Sequence, residues 1–384
     1  MALRRCTIGI YLRINILVLG ASDKGGVSIY VSNLIKDIHD YSFYLPSKNN
    51  DSKKTMLKLY PQATIFMFDQ NYTFLSLYKK AIELDIYIKK FQIDIIHAHV
   101  LRFGLLASIY KKFINQDIKI LYTGHGSRFT QKTKKYEQYL FKNMEIFVNK
   151  TSNHVVFIRE LEYQTSLKLS LLSKDKATII KTQMEPDTYN KNNFSFRKKY
   201  DIKTNNIVAM IGSVYDIKNP FLFCDIAKKT LDDQHNTTFI WIGDGPQLEH
   251  MKNYIIANKM ENYIKFIGPI EYQNMKAAWD EIDVLLLTSK IEIFPLILLE
   301  AYQYKTIVLT SNFSGVQEFV KNNITGYIFD MNHANTAYDQ LKNIFTDTSS
   351  RQKIVDTAYQ YYVNNYSSID KMQNAYKIIY EEMT

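Results

Sequence analysis

The sequence predicts an α/β protein built from two doubly wound parallel sheets that face each other across a cleft. Three observations predict this. Short apolar runs of strand length alternate with segments of helical periodicity in the first half of the chain, and do so again in the second. The 384 residues exceed one ordinary core, and an apolar content of 46% fills two. A polar, non-periodic stretch at 182–196, containing Pro186, interrupts the alternation and reads as a linker between domains 1–185 and 197–364. With 13 Gly and 7 Pro, the chain has too few turn formers for an all-β or disordered protein.

Two cysteines, Cys6 and Cys224, make no disulfide framework, and no Cys/His cluster has metal-ligand spacing, so a cytoplasmic protein is expected. The net charge of +10 suits phosphorylated ligands, an anionic membrane surface or nucleic acid, but no nucleic-acid recognition motif accompanies it. The N-terminus carries Arg4 and Arg5 before an apolar stretch. Arg13 and Asn15 interrupt that stretch and no small-residue cleavage site follows, so residues 14–20 (INILVLG) read as a first strand rather than a signal peptide. No run of about 18 apolar residues exists to cross a membrane.

Gly25-Gly26 separates this strand from a helix at 27–38, and glycines there let backbone amides approach a ligand closely. The pattern is not GxGxxG, and no acidic residue closes a second strand at the spacing a nicotinamide dinucleotide needs. Strands follow at 43–46 and 63–68, with 47–54 read as a mobile polar loop between them, and then a helix at 75–91. Residues 93–100 (IDIIHAHV) form a strand ending in His97 and His99, which point to one side of the sheet. A helix at 103–113 and a strand at 118–123 lead to Gly124-His125-Gly126 at the ligand edge. His97 reads as a core histidine, His99 as equally core or functional, and His125 as the functional candidate. A three-His zinc site finds no acidic companion.

Residues 128–150 (RFTQKTKKYEQYLFKNMEIFVNK) form a basic helical segment interleaved with aromatics, fit either for an anionic bilayer or for a solvated lysine face. Strands at 153–158 and 177–181 complete the first half. The second half reads strand 207–211, helix 220–231, strand 238–242, helix 247–258, strand 264–267, helix 273–281, strand 283–288, helix 295–304, strand 306–310 and helix 316–320, closed by helices at 335–345, 351–364 and 369–383.

Chemistry concentrates where strands hand over to helices. Lys218 sits in the loop ahead of Pro220, placed to meet a phosphate as a point charge. IGDGP at 242–246 and FIGPI at 266–270 supply further glycine corners, with Asp244 more simply a turn residue than a metal ligand. In SKIEIFPLILLEA, Pro295 fits the first turn of a helix, Glu292 lies in the loop and Glu300 on the second turn. An ionised Glu300 is suited to accept both hydroxyls of a ribose, and Glu292 to contact a sugar.

The E-x7-E string from Glu292 to Glu300, with FP and LLEA, resembles the retaining family 4 glycosyltransferases of the GT-B fold. Further matches run in order along nearly the whole chain: GGV at 25–27, the HAH strand end, His125, residues 212–219, IGDGP, FIG, Ser314-Gly315-Val316 with Glu318, and Thr325-Gly326-Tyr327. The segment 367–384 is similar to the family's last helix, which crosses back to complete the first domain. The resemblance implies transfer of a hexose or N-acetylhexosamine from a nucleotide sugar, a UDP-sugar foremost, with retention and without a metal or other cofactor. Its acceptor is expected to be a lipid-linked glycan of surface polysaccharide assembly, met by an enzyme that is cytoplasmic or peripheral at the inner membrane face. The positions matching Gly26, Lys218, Phe294, Leu296 and Glu300 hold the nucleotide diphosphate, with Gly25, Ser213 and Pro295 beside them and Ile270 near the base. His125 and Glu292 match positions on the donor sugar and, with Lys218, are the candidate catalytic residues.

Two positions depart from the family pattern. Ser213 stands where an Arg pairs with the Lys on the diphosphate, and Ile293 where a Gly follows the first Glu. Losing one of two cations costs such a site about 2 to 4 kcal/mol, and Lys290 and Arg128 are the candidates to replace it. A nucleotide-sugar epimerase of the same fold and a catalytically impaired binding subunit are the alternative readings.

Overall fold

The computed structural model describes residues 13–21, 25–69, 73–126, 134–186, 195–233 and 236–384. The chain divides into two compact units, residues 1–183 with 369–384 and residues 184–368.

The first unit runs β1 (Ile14–Leu19), α1 (Gly26–Ile35), β2 (Tyr41–Ser47), α2 (Asn50–Leu59), β3 (Thr64–Met67), α3 (Leu77–Lys90), β4 (Ile95–His99), α4 (Val100–Phe113), β5 (Lys119–Gly124), α5 (Lys135–Thr151), β6 (His154–Phe157), α6 (Glu160–Lys168) and β7 (Ala177–Ile179). The second runs α7 (Phe196–Lys199), β8 (Asn206–Ile211), α8 (Pro220–Asp233), β9 (Thr237–Ile242), α9 (Leu248–Ala257), β10 (Ile264–Gly268), α10 (Tyr272–Trp279), β11 (Val284–Leu287), α11 (Leu296–Gln303), β12 (Ile307–Ser311), β13 (Tyr327–Phe329), α12 (Ala334–Thr346) and α13 (Thr348–Tyr366). The chain then returns to the first unit with α14 (Ile369–Met383).

Two sheets of seven and six strands result, ordered β3-β2-β1-β4-β5-β6-β7 and β10-β9-β8-β11-β12-β13. Neighbouring strands pair in parallel throughout. The central strands are apolar on both faces, because helices cover each side; Val284 to Leu287 and Leu17 to Leu19 are fully buried. In each sheet the chain builds outward from one strand and then reverses. The reversals fall between β1 and β4 and between β8 and β11, and crevices beyond the carboxyl ends of such strands are where open α/β sheets bind ligands.

Residues 47–54, expected as a mobile loop, end β2 and open α2. The Asn49 side chain accepts the Ser52 N–H at 2.8 Å and caps the helix. Only Ser52 and Met56 of α2 are buried, so the helix carries no apolar stripe to reveal it. The helix expected at 316–320 is a single 3-10 turn, Val316–Glu318, started by Gly315 with φ 79°. Helices α6 and α7 and the three-residue β13 went unread, each too short to establish a period.

Helix α14 docks on α1. The Tyr30 and Tyr376 hydroxyls lie 2.6 Å apart, and the Gln373 side chain donates to the carbonyls of Asn33 and Lys36 at 2.8 and 2.6 Å.

Candidate functional site

The reversal between β8 and β11 brings two loops together in the second unit. After β8 the backbone makes a 3-10 turn, Asp216–Lys218, which Asn219 ends in the left-handed region at φ 53° before Pro220 opens α8. After β11 the chain is stitched to that turn. Thr288 Oγ1 donates to the Lys218 carbonyl at 2.8 Å, and the Lys290 N–H donates to the Ile217 carbonyl at 2.8 Å. Lys218 Nζ then stands 2.5 Å from Glu292 Oε1, and Ser289 Oγ donates to the same oxygen at 2.6 Å. The Lys218 and Glu292 side chains are 20% and 9% exposed, so the pair is only partly screened by water.

Helix α11 begins one residue later than its sequence suggests. Pro295 is the N-cap rather than the first-turn residue, and its carbonyl accepts the Leu298 N–H at 2.9 Å. A proline has no N–H to leave unpaired in either position. Phe294 packs edge-on against Phe319 at 5.0 Å, while Ile270 and Leu296 are half-buried against the core. Glu300 is largely covered, and burial pushes its carboxyl pKa up against the opposing pull of the Trp279 indole. The buried Trp279 N–H makes no hydrogen bond of ordinary geometry among the described residues.

Three glycine corners are stacked beside this pair. Gly212 has φ 146° and Gly243 φ 140°, conformations that favour glycine. A Cβ on Gly243 would lie 2.1 Å from the Gly212 carbonyl oxygen, and one on Gly245 would lie 2.6 Å from that of Val214. Backbone bonds link the layers: Gly212 N–H to Ile242 O at 2.9 Å, Val214 N–H to Asp244 O at 3.0 Å and Gly243 N–H to Gly268 O at 3.0 Å. Asp244 accepts the Gly245 N–H, the bond of a turn residue. Ser213, on this backbone, is exposed. Of its expected substitutes, Lys290 pairs with Asp216 at 2.9 Å in an exposed contact, and Arg128 lies outside the described residues.

In the first unit, Gly25 caps α1 at φ 96°, and among the described residues nothing lies within 4 Å of a Cβ on Gly25 or Gly26. Gly20 is held close: a Cβ there would lie 2.7 Å from the His99 carbonyl oxygen. Val100 follows with φ 61°, a strained conformation for a β-branched residue.

His97 and His99 share one side of β4 with ring centroids 4.1 Å apart, and both are fully buried. His97 bonds Tyr380 Oη at 2.7 Å and Thr123 Oγ1 at 2.8 Å, the arrangement of a satisfied core histidine. Thr123 Oγ1 continues to Tyr376 Oη at 3.0 Å. His99 Nδ1 and His125 Nε2 lie 2.8 Å apart. Burial pushes His97 and His125 down to about 3 and His99 well down, so all three are neutral at pH 7. Among the described residues no group of three or more His, Cys, Asp or Glu is arranged to hold a metal ion.

Sequence reasoning missed Ser289, Trp279 and the tyrosines behind the histidines. Tyr376 and Tyr380 carried a usable signal, since four-residue spacing puts both on one face of the last helix. The basic segment is α5, with residues 127–133 outside the described residues. Tyr136 and Tyr139 on it are 64% and 73% exposed, as are Ile82 and Ile86 on α3 at 49% and 64%. Among the described residues no helix is long and apolar enough to cross a membrane.

Comparison with known proteins gives two family matches. The family described as "Glycosyl transferases group 1" matches residues 192–361, and "Glycosyl transferase 4-like" matches residues 15–158. The chain is similar to an Escherichia coli UDP-Gal:alpha-D-GlcNAc-diphosphoundecaprenol alpha-1,3-galactosyltransferase, at 24% identity over 78% of this chain and 79% of that protein. It is also similar to a Niallia circulans 2-deoxystreptamine N-acetyl-D-glucosaminyltransferase, at 26% identity over 73% and 77%. Among solved structures, Anabaena HepE in complex with UDP and glucose shares the fold, with TM-score 0.81 and 16% identity over 96% of this chain and all of that one. A glycosyltransferase from Rickettsia africae superposes with TM-score 0.78 at 20% identity, covering 97% and 99%.

Proposed function

We propose a donor, an acceptor class and a mechanism from one premise: the chain belongs to the GT-B glycosyltransferases, glycosyl transferase 4-like in its first half and group 1 in its second. The reaction is transfer of a hexose or N-acetylhexosamine from a UDP-sugar to a lipid-linked glycan of surface polysaccharide assembly. Configuration is retained and no metal takes part.

The observation that carries this reading is the Lys218–Glu292 pair at the reversal of the second sheet. A leaving diphosphate needs a cation, and the oxocarbenium-like sugar needs an anion nearby. This corner holds one of each on loops tied by backbone bonds. Lys218 and the backbone N–H groups of Phe294 and Leu296 take up charge on the diphosphate as the bond from C1 to its oxygen breaks. That oxygen helps remove the acceptor proton while the acceptor oxygen bonds C1 on the same face. Glu292 meets the sugar, and Glu300 accepts the ribose hydroxyls, whose donation favours its ionised form. By the resemblance to the family, Ile270 matches a position by the base, Gly25 and Gly26 positions at the diphosphate, and His125 a position at the donor sugar.

Relatives that act on undecaprenol-linked sugars support the acceptor class. The exposed aromatic and lysine-bearing surface of α5 and α3 supports contact with an anionic bilayer from the inner face. The test is turnover: purified protein, membranes and each UDP-sugar. Release of UDP that depends on acceptor and disappears in K218A and E300A supports the reading. The absence of turnover with every UDP- and GDP-sugar, together with unchanged nucleotide binding in both variants, overturns it.

Exposed Ser213 favours a second reading, a catalytically impaired binding subunit in place of a transferase whose donor site is only weakened. S213R separates the two, because a weakened site gains donor affinity whereas a binding subunit binds no donor in either form.

A further inference from the structure

His99 and His125 meet through one hydrogen bond, Nδ1 to Nε2 at 2.8 Å. Two neutral imidazoles sharing one bond must divide the roles, with one ring donating and the other accepting. Which ring donates decides what His125 offers on its other nitrogen.

The second nitrogen of His99 resolves the division. His99 is 0% exposed, and its Nε2 has no hydrogen-bond partner among the described residues. Were the proton on Nε2, a buried N–H donor would have no acceptor, which is the rarer and costlier kind of orphan. With the proton on Nδ1 the orphan is a lone pair, and Nδ1–H donates to His125 Nε2. His125 then carries its own proton on Nδ1. Two aromatic contacts hold the rings in this orientation: Tyr30 packs edge-on against His125 at 4.8 Å and 87°, and the His97 ring lies tilted on His99 at 4.1 Å. The Tyr30 hydroxyl is in turn fixed at 2.6 Å from Tyr376 of α14.

We infer that His99 is a positioning residue that locks His125 in its Nδ1–H tautomer, so that His125 presents a neutral hydrogen-bond donor to an oxygen of the donor sugar. The inference rests on the proposed role of His125 at the sugar. It adds a polarity: the site contributes an N–H rather than a lone pair, and so selects a sugar that places an oxygen acceptor there. His99 touches no substrate in this scheme.

Two-bond 1H–15N spectra of the full chain labelled with 15N-histidine read the tautomer directly, with H125Q identifying the His125 signals. The expected result is a protonated Nδ1 and an unprotonated Nε2 on His125. The opposite tautomer, or an average of both, overturns the inference whatever the turnover. A variant pair checks the cause. H99N keeps an amide N–H close to the position of Nδ1, whereas H99F keeps only the ring. In H99F the tautomer averages and kcat falls about tenfold, the scale of one lost hydrogen bond, while H99N restores the tautomer and most of the loss. Equal effects of H99N and H99F also overturn it. Failure of the wider reading looks different: H125A then turns over UDP-sugar like the parent chain, while the spectra still report the Nδ1–H form.

Discussion

Lys218 Nζ and Glu292 Oε1 stand 2.5 Å apart, so the cation assigned to the leaving diphosphate and the carboxylate assigned to the sugar are paired with each other. A phosphate on Lys218 competes with Glu292 for the same ammonium. K218A therefore weakens UDP by about 10- to 100-fold, the range for a lost charged hydrogen bond. E292Q leaves UDP affinity equal or higher, because it removes the competitor, but lowers turnover of the UDP-sugar. Calorimetry with UDP checks both, and a loss in E292Q as large as that in K218A contradicts the assignment.

The glycine stack predicts a stability effect. G243A drives a methyl into the Gly212 carbonyl and strains φ, costing about 3 kcal/mol or more, which for a unit of this size lowers Tm by roughly 6–12 °C. G26A meets no described residue within 4 Å, at ordinary φ, and changes Tm little. Thermal scans of the two variants decide this.

Glu145 on α5 titrates late, from its ordinary 4.5 to about 8, because burial disfavours its charge; the Tyr122 hydroxyl opposes this and Glu162 adds to it. Between those values the folded protein holds a proton that the unfolded chain releases. The stability associated with it is fully present below about pH 4.5 and is lost as pH rises through about 8. E145Q cannot ionise, so its stability relative to the parent rises across that window. Urea midpoints at pH 5 and pH 8 for both proteins measure this, and parallel shifts contradict it.

Y376F and Y380F each remove one hydroxyl from the buried chain Tyr30–Tyr376–Thr123–His97–Tyr380. Each costs about 1 to 2 kcal/mol, and the double variant costs less than the sum because the two share a network. A double-mutant cycle in urea gives the coupling.

If α3 and α5 meet a bilayer, then I82E/I86E and Y136E/Y139E each reduce sedimentation with anionic vesicles by severalfold at low salt, since both lose buried apolar area. Neutral vesicles show a smaller difference.

The two-sheet fold was legible because buried parallel strands write themselves as apolar runs such as Val284 to Leu287, and most of the helices between them keep a stripe. Helix α2 was not, because a helix that buries only Ser52 and Met56 is held by its cap and has no period to find. At the candidate site, residue types and their order were readable in the sequence, while pairings were not. Lys218 and Glu292 lie 74 residues apart and meet only because β8 and β11 are neighbours. His99 remained undecided for the same reason, since its partner His125 comes from the next strand, and the tyrosine behind His97 comes from α14, 283 positions away.

The return of residues 369–384 to the first unit also bears on the order of synthesis. On the ribosome, residues 1–183 emerge first yet lack Tyr376 and Tyr380 until the whole second unit has been translated. Domains made in sequence tend to fold as they appear. Here the later unit is complete first, and the earlier one waits with Tyr30, Thr123 and His97 unsupported. The core around Tyr30, Thr123 and His97 therefore depends on residues translated after the whole of the second unit, and it closes only when α14 docks.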